Sequence, residues 1–522
     1  MSAVVHLPTF IWDEFTMKNI ILMVLLVVLG ACGNKSSEQL STGTNNLLTL
    51  CPGFSEAGKP PIVQGAQCGS LAVHENPEDS ASPKISLNIL RLPAVNPTAQ
   101  PDPLFVIAGG PGQSAVNVAE GIAYVFDDIR KNRDIVFVDQ RGTGGSAPLD
   151  CLSLEDQDNL WSLAKQQQKL VQALRECIAQ HEDRWAFYTT PYAVQDLESV
   201  RKALGYQQIN LWSVSYGTRV ALEYMRSYPE AIRTSTLDGV APVSMALPWH
   251  SEEDAWASLT QLNEQCTSID QCKKRFGNLL DKANAIAQRL DAAPINILVT
   301  HPRTQAQTSV EVDNKTFVVL IRMALYGRDL STLVPLVISR SYDGDYQLLA
   351  SLVTLIAEQS ELADISYGMH YNILCNEDYP QYRGRNSADS HYFLKSNLVD
   401  LFSDICAIWP QTALDENYFS PVVADIPTLL LSGQRDPVTP PRWADLVMQH
   451  LSHAKHLVAP GGHHSITRDG CVSQLITLFV HRGNTESLDT SCVKNIDPFA
   501  PYLGFDPHPN ELINTQQQQD SQ

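Results

Sequence analysis

Three polar residues in this sequence have the types and the order needed for acyl-transfer chemistry. Ser215, Asp436 and His463 each come shortly after an apolar run typical of a buried strand. A serine hydroxyl becomes an effective nucleophile only when a base lies within hydrogen-bond reach and a carboxylate orients that base. The order serine, aspartate, histidine therefore predicts Ser215 as nucleophile, Asp436 as orienting carboxylate and His463 as base.

Two of these assignments have alternatives in the sequence. His464 stands next to His463, and we prefer His463 because it directly follows the double glycine Gly461-Gly462. Asp238, which also ends an apolar run, is a second candidate for the carboxylate.

The surroundings of Ser215 resemble a sharp turn between a strand and a helix. The apolar run from Ile209 ends at Ser213, and helical spacing of apolar residues begins after Tyr216. Such a turn needs small residues two positions either side of the nucleophile, and here they are Ser213 and Gly217. Ser213 replaces the glycine that is usual at the first of these positions.

Acyl transfer also needs backbone N–H groups directed at the developing oxyanion. The N–H of Tyr216, directly after the serine, is one candidate. The loop Gly109-Gly110-Pro111-Gly112 follows another strand-like run, and its missing side chains allow close approach of the backbone. We predict the N–H of Gly110 as the second donor.

Buried strands that alternate with helices must carry these residues. Such alternation predicts the α/β class, with a mostly parallel central sheet flanked by helices. In these sheets, chemistry lies at the carboxyl ends of strands. The alternation is interrupted once, so we expect a first core part at 51–241, a large, mainly helical cap or lid at 242–424, and a second core part at 425–505.

Composition excludes several classes of function. The chain has 522 residues, of which 44% are hydrophobic, and a formal net charge of −20 without a basic block. Nucleic acid is therefore not an expected partner. The sequence contains no CxxC motif, so it does not predict a metal or redox site, and we expect no cofactor.

The amino terminus resembles a bacterial lipoprotein signal peptide. An apolar run of 11 residues, Ile20–Gly30, follows Lys18 and leads through small residues to Cys32. The run is too short to span a bilayer. We expect a signal peptide over 1–32 with the natural start at Met17, lipid on Cys32 and a linker over 33–50. This predicts a protein at the bacterial cell envelope, on the outer membrane. The lipid alone would hold it there, and the chain would face the periplasm or the exterior.

The Gln-rich tail, 506–522, is expected to be disordered.

The other ten cysteines fall into sequential couples, and local disulfides are the simplest interpretation in an exported chain. Sequence alone does not fix this connectivity. The predicted couples are Cys51 with Cys68, Cys151 with Cys177, Cys266 with Cys272, Cys375 with Cys406, and Cys471 with Cys492.

Several stretches together resemble a known family, the prolyl aminopeptidase and tripeptidyl aminopeptidase branch of the α/β-hydrolases. The carboxyl-terminal stretch is similar to the tripeptidyl type. The matching stretches are Gly109–Gly112, Asp139–Ser146, Asp196–Tyr206, Ser215–Arg219, Leu237–Val240 and Cys471–Phe499.

The resemblance implies a serine exopeptidase that acts on peptides with a free amino end. Such an enzyme must hold a cationic α-amine, and Glu377 in the predicted cap is similar in position to the acidic residue that does so in the family. The alternative is a carboxylesterase or other small-acyl hydrolase with the same three residues. A binding module with an inactive hydrolase fold is the non-enzymatic alternative.

Overall fold

The computed structural model describes residues 47–51, 63–152, 163–181, 184–300, 307–359, 365–383 and 398–504. The predicted signal peptide with Cys32, most of the predicted linker and the tail from 506 lie outside these residues. Leu48–Leu50, at the end of the predicted linker, forms a strand instead, because it pairs antiparallel with residues 67–69. Within the described ranges, no helix combines the length and apolar character needed to cross a membrane.

Across the described ranges, a nine-stranded sheet forms the centre of the fold. Its spatial order is β1-β2-β3-β5-β4-β6-β7-β10-β11. The first three strands pair antiparallel, β3 also runs antiparallel to β5, and the remaining neighbours are parallel. The predicted α/β class is confirmed. The strands are β1 Leu48–Leu50, β2 Gln67–His74, β3 Lys84–Leu92, β4 Leu104–Ile107, β5 Ile135–Val138, β6 Ile209–Val214, β7 Ile232–Asp238, β10 Thr428–Gly433 and β11 Ala454–Ala459.

Helices cover both faces of this sheet, which explains why its central strands are apolar at consecutive positions. In β10, Leu430 packs into one hydrophobic cluster, while Leu429 and Leu431 pack into the cluster on the opposite face. The helices before the insertion are α1 Ala119–Val125, α2 Asp127–Arg130, α3 Leu163–Gln180, α4 Thr190–Ala203 and α5 Tyr216–Ser227.

The long insertion between β7 and β10 has two differently packed parts. The first part has its own hydrophobic cluster, to which the small antiparallel hairpin β8 Ile295–Thr300 and β9 Gln307–Val312 contributes. Its helices are α6 Ser251–Ser268, α7 Asp270–Phe276, α8 Leu279–Ala292, α9 Asn314–Ala324, α10 Arg328–Ser331, α11 Val334–Tyr342 and α12 Gln347–Gln359.

The second part of the insertion packs into a cluster of the central sheet, through residues such as Tyr371, Leu374 and Ile405. Its helices are α13 Tyr367–Ile373, α14 Tyr379–Tyr382 and α15 Leu398–Ile408, with a π-helical turn at Leu374–Asp378. Two more helices, α16 Pro441–Met448 and α17 Val472–Arg482, follow strands β10 and β11.

The five predicted disulfides are confirmed, each between sequential cysteines. Cys375–Cys406 ties the π-helical turn to α15, and Cys471–Cys492 closes the segment around α17.

Asp139, at the carboxyl end of β5, holds the glycine loop that follows β4. Its carboxylate accepts hydrogen bonds from the Ser114 hydroxyl at 2.7 Å and from the Val116 N–H at 3.0 Å. Nearby, buried Arg141 donates two hydrogen bonds, of 2.7 and 2.8 Å, to the carboxylate of Asp196. Asp139, Arg141 and Asp196 belong to the stretches that carry the family resemblance, and they fix the loops at one edge of the sheet.

Candidate active site

Ser215 lies at a sharp turn between β6 and α5. Its backbone has φ 56° and ψ −129°, a left-handed conformation that is strained for a residue with a side chain. The N–H of Ser215 donates to the carbonyl oxygen of Asp238 at 2.9 Å, which anchors the turn on the neighbouring strand. The hydroxyl consequently stands at the carboxyl end of the sheet, as the sequence predicts.

The two small neighbours of Ser215 are needed for different reasons. A Cβ atom on Gly217 would come within 2.6 Å of the carbonyl oxygens of Ile107 and Ala108. Ser213 is completely buried, and its hydroxyl donates to the carbonyl oxygen of Thr236 at 3.2 Å. The substitution for the first glycine is therefore accommodated by a hydrogen bond to the adjacent strand.

Asp436 lies in the turn after β10 and is held from three directions. One carboxylate oxygen accepts the N–H groups of Val438 and Thr439 at 2.8 and 2.9 Å, and the other accepts the Thr439 hydroxyl at 2.6 Å. Burial acts to raise the pKa of Asp436, but His464 and these hydrogen bonds outweigh it and lower that pKa. The carboxyl group is therefore ionised at neutral pH.

His464 is the histidine that meets this carboxylate. Its Nδ1–H donates to Asp436 Oδ2 at 2.9 Å, which leaves Nε2 as the acceptor nitrogen. Burial acts to lower the pKa of His464, but the charge of Asp436 and its hydrogen bond prevail and raise it. His464 and Ser215 line the same cavity.

The prediction of His463 as the base is wrong. Its Nδ1–H donates to the carbonyl oxygen of Leu325 at 2.6 Å, and its Nε2 lies 3.3 Å from the Ser331 hydroxyl, so both nitrogens face the insertion. Burial lowers the pKa of His463 to about 4. His463 points away from Asp436 because the loop backbone packs tightly against the end of β10, where a Cβ on Gly433 would lie 2.2 Å from the carbonyl oxygen of His463.

Asp238, the alternative carboxylate, holds the loop that follows His464. It accepts the Ser465 hydroxyl at 2.6 Å, the Ile466 N–H at 3.0 Å and the Thr467 N–H at 2.9 Å. Asp238 is thus a positioning residue for the histidine loop, while Asp436 makes the direct contact with the imidazole.

Two residues that sequence reasoning missed also touch His464. The Thr439 hydroxyl lies 3.1 Å from Nδ1, and the Tyr326 carbonyl accepts the His464 N–H at 3.1 Å. The spacing Asp-x-x-Thr, which is common in turns closed by side-chain hydrogen bonds, is a sequence signal for Thr439. No local signal marks Tyr326, because it comes from the insertion.

The predicted oxyanion donors lie beside the nucleophile. A Cβ on Gly109 would come within 3.1 Å of the Ser215 Cβ, so the glycine loop touches the turn, and Gly110 lines the cavity with Ser215. Tyr216 is the first residue of α5, where N–H groups have no partner within the helix.

The shared cavity has a volume of about 560 Å³ and lies between the sheet edge and the insertion. Most of its walls are apolar. Among the residues that the structure describes, its lining contains no aspartate or glutamate, and its two permanently charged side chains are Arg322 and Arg468.

The prediction that Glu377 binds the substrate amine is contradicted. Glu377 is fully buried and accepts hydrogen bonds from the Thr190 N–H at 2.7 Å, the Thr190 hydroxyl at 2.8 Å and the Tyr418 hydroxyl. Arg219 of α5 lies 3.4 Å away and also binds Asp378. Glu377 is not among the residues that line the cavity, because these buried contacts hold its side chain elsewhere.

The described residues contain no cluster of histidine, cysteine or carboxylate side chains that could hold a metal ion.

Comparisons with known proteins support a peptidase relationship. A family described as TAP-like protein matches residues 393–492. The serine protease Hip1 of Mycobacterium tuberculosis is 23% identical over 464 residues, which cover 83% of this chain and 88% of Hip1. The tripeptidyl aminopeptidase of Streptomyces lividans is 27% identical over 201 residues, covering 35% of this chain and 37% of that enzyme.

A putative hydrolase of Escherichia coli, YuaR, is 26% identical over 220 residues, covering 41% of this chain and 43% of YuaR. The chain thus matches less than half the length of YuaR and of the tripeptidyl aminopeptidase, and most of the length of Hip1. The strand order, the turn at Ser215 and these relatives agree with the resemblance found in the sequence. The chain is therefore similar to the branch of the α/β-hydrolases that includes the tripeptidyl aminopeptidases and proline iminopeptidases.

Proposed function

We propose that this chain is a serine exopeptidase that releases N-terminal residues or short peptides through an acyl-enzyme. The observation that carries the proposal is the 2.9 Å hydrogen bond from His464 to Asp436, with His464 and Ser215 on the wall of one cavity. Relatives named as a serine protease and as a tripeptidyl aminopeptidase support a peptide as the substrate.

In the acylation step, the Ser215 hydroxyl oxygen attacks the carbonyl carbon of the scissile peptide bond while His464 Nε2 takes its proton. Asp436 stabilises the imidazolium that forms. The N–H groups of Gly110 and Tyr216 stabilise the oxyanion, a contribution of about 3–4 kcal/mol per donor. His464 then gives the proton to the leaving amine, and the peptide bond breaks.

Deacylation repeats these steps with water as the nucleophile. His464 Nε2 takes a proton from the water, whose oxygen attacks the ester carbonyl of acylated Ser215. Collapse of the second tetrahedral intermediate releases a carboxylic acid and returns the proton to the serine oxygen. The cycle needs no group beyond these side chains and the two backbone donors.

A carboxylesterase is the second candidate function, and one observation favours it. The described lining of the cavity has apolar walls and no carboxylate to hold an α-ammonium group. An uncharged acyl group would suit such walls, and the same three residues would hydrolyse its ester.

A fluorogenic panel separates the two functions. We expect Pro-, Ala- and Ala-Ala-Pro- conjugates with a free amino end to be hydrolysed much faster than their acetylated equivalents. We also expect Ser215→Ala to lower kcat by about six orders of magnitude. Equal rates on free and acetylated conjugates would favour the esterase. Full turnover by Ser215→Ala would contradict the mechanism.

We also propose that lipid on Cys32 holds the chain at the bacterial cell envelope. The apolar run Ile20–Gly30 after Lys18 supports this, as do the ten paired cysteines, which suit an oxidising compartment. Labelled palmitate supplied to bacteria should enter the wild-type chain and be absent from Cys32→Ala. Equal labelling of both would contradict the anchor.

A further inference from the structure

The cavity above Ser215 contains a positive charge close to the histidine. Arg322, in the last turn of α9, lines the cavity, and its guanidinium carbon lies 5.4 Å from the ring centroid of Tyr326. The Tyr326 ring in turn lies 5.1 Å from the His464 ring. One aromatic ring therefore separates Arg322 from the imidazole.

Arg322 differs from the two fully buried arginines near the site. Arg141 and Arg219 each pair with a carboxylate, at 2.7 and 2.9 Å. Arg322 is half-buried, its Nε is buried without an acceptor, and no ion pair joins it to a carboxylate within the described residues. A guanidinium withdrawn from water favours an anionic partner, and a planar carboxylate matches its geometry.

Arg468 places a second cation at the mouth of the same cavity. It is exposed, and it lies four residues after His464 in the loop that Asp238 holds. Its guanidinium lies over Gly121, where a Cβ would come within 2.9 Å of Nη2. Two cations at one cavity stand out in a chain of net charge −20, because the protein as a whole repels anions.

We propose that Arg322 binds a carboxylate of the substrate, and that Arg468 attracts this group at the cavity mouth. The inference rests on the proposed peptidase function and narrows its substrate class to peptides with a carboxylate near the scissile bond. That carboxylate has two possible sources, the C-terminus of a short peptide and an acidic side chain. The binding is a charge-assisted hydrogen bond to Arg322, and no covalent step is involved.

Matched peptides test the inference in the full-length protein. Ala-Ala-Pro-Ala is compared with its C-terminal amide, and Ala-Ala-Pro-Glu-amide with Ala-Ala-Pro-Gln-amide. We expect at least one acid to have a KM about tenfold to a hundredfold below that of its neutral partner. A difference in the first pair identifies the C-terminus as the source, and a difference in the second identifies the side chain.

Arg322→Met should bring the KM ratio within the preferred pair close to one, and Arg322→Lys should restore part of it. Because each ratio is measured on a single variant, a loss of folded protein does not change it. The control is Arg340→Met, an exposed arginine on α11, which should keep the wild-type ratio. A wild-type ratio near one in both pairs, or a ratio unchanged in Arg322→Met, would overturn the inference.

Failure of the proposed function gives a different result. If no peptide is cut, the same peptides are used as inhibitors of hydrolysis of p-nitrophenyl acetate. Stronger inhibition by an acid than by its neutral partner, lost in Arg322→Met, would keep the carboxylate site and reject the peptidase. Equal inhibition by the acid and neutral peptides would reject both.

Discussion

Replacing His464 with alanine is expected to lower kcat/KM by about five to six orders of magnitude, whereas His463→Ala should stay within about tenfold of the wild type. Of the two histidines, His464 is the one that contacts Asp436 and lines the cavity with Ser215. His463 binds the Leu325 carbonyl, so its loss should lower the free energy of unfolding by about 1–3 kcal/mol. Steady-state kinetics and chemical denaturation of both variants provide the measurements.

The pH profile is a second readout of the same assignment. His464 works as a base when neutral, so kcat/KM should fall as the pH drops through its pKa, which Asp436 raises above the ordinary value of about 6.5. Asp436→Asn should move this acid limb to lower pH and lower kcat by about 10⁴.

His463→Ala should leave the acid limb in place, because burial lowers the pKa of His463 to about 4. An acid limb that moves in His463→Ala but not in Asp436→Asn would contradict the assignment of His464.

Arg219→Met is expected to destabilise the protein by about 3–5 kcal/mol, because it leaves Glu377 and Asp378 buried without their counter-charge. Burial raises the pKa of Asp378 to about 6 even with Arg219 present. An acid whose pKa is higher in the folded state contributes stability at low pH that is lost as the pH rises through that pKa. The loss in Arg219→Met should therefore be larger at pH 8 than at pH 5, as measured by chemical denaturation.

The control for this prediction is Arg340→Met, since Arg340 forms an exposed ion pair and its loss should change stability by less than about 0.5 kcal/mol.

Glu377→Gln tests whether the buried network around Glu377 supports catalysis. It should lower the rates on peptides and simple esters in parallel, because Glu377 supports the helix after Ser215. Loss of peptide hydrolysis alone would return Glu377 to the amine-binding role that its burial contradicts.

Much of the site was predictable because its signals are local. The run of strand residues into Ser215, followed by helical spacing, marks the turn within a dozen residues. Asp436 likewise follows β10 directly, and the disulfides join cysteines separated by 6 to 31 residues. Gly217 was predictable because the crossing of strand and helix leaves no room for a side chain there.

The family resemblance predicted the class of substrate, which the local signals do not indicate. It did not predict the position of the Glu377 side chain correctly. The order of residues shows that Glu377 lies in the insertion, and the insertion as a whole covers the cavity. Which way the side chain points depends on Thr190, Arg219 and Tyr418, which lie 187, 158 and 41 residues away. Sequence spacing carries no information about such contacts.

The order of strands and helices, the nucleophile, its carboxylate and the local disulfides could all be predicted from the sequence, because each depends on neighbours along the chain. The choice between His463 and His464 depends instead on contacts that form in the folded chain. Adjacent residues in a loop have the same local signals, so the sequence does not distinguish them. Asp436 binds His464, whereas the Leu325 carbonyl, 138 residues before His463, binds His463. The fold also selects which charges reach the cavity, since Arg322 lies on its wall while Glu377 is fully buried away from it.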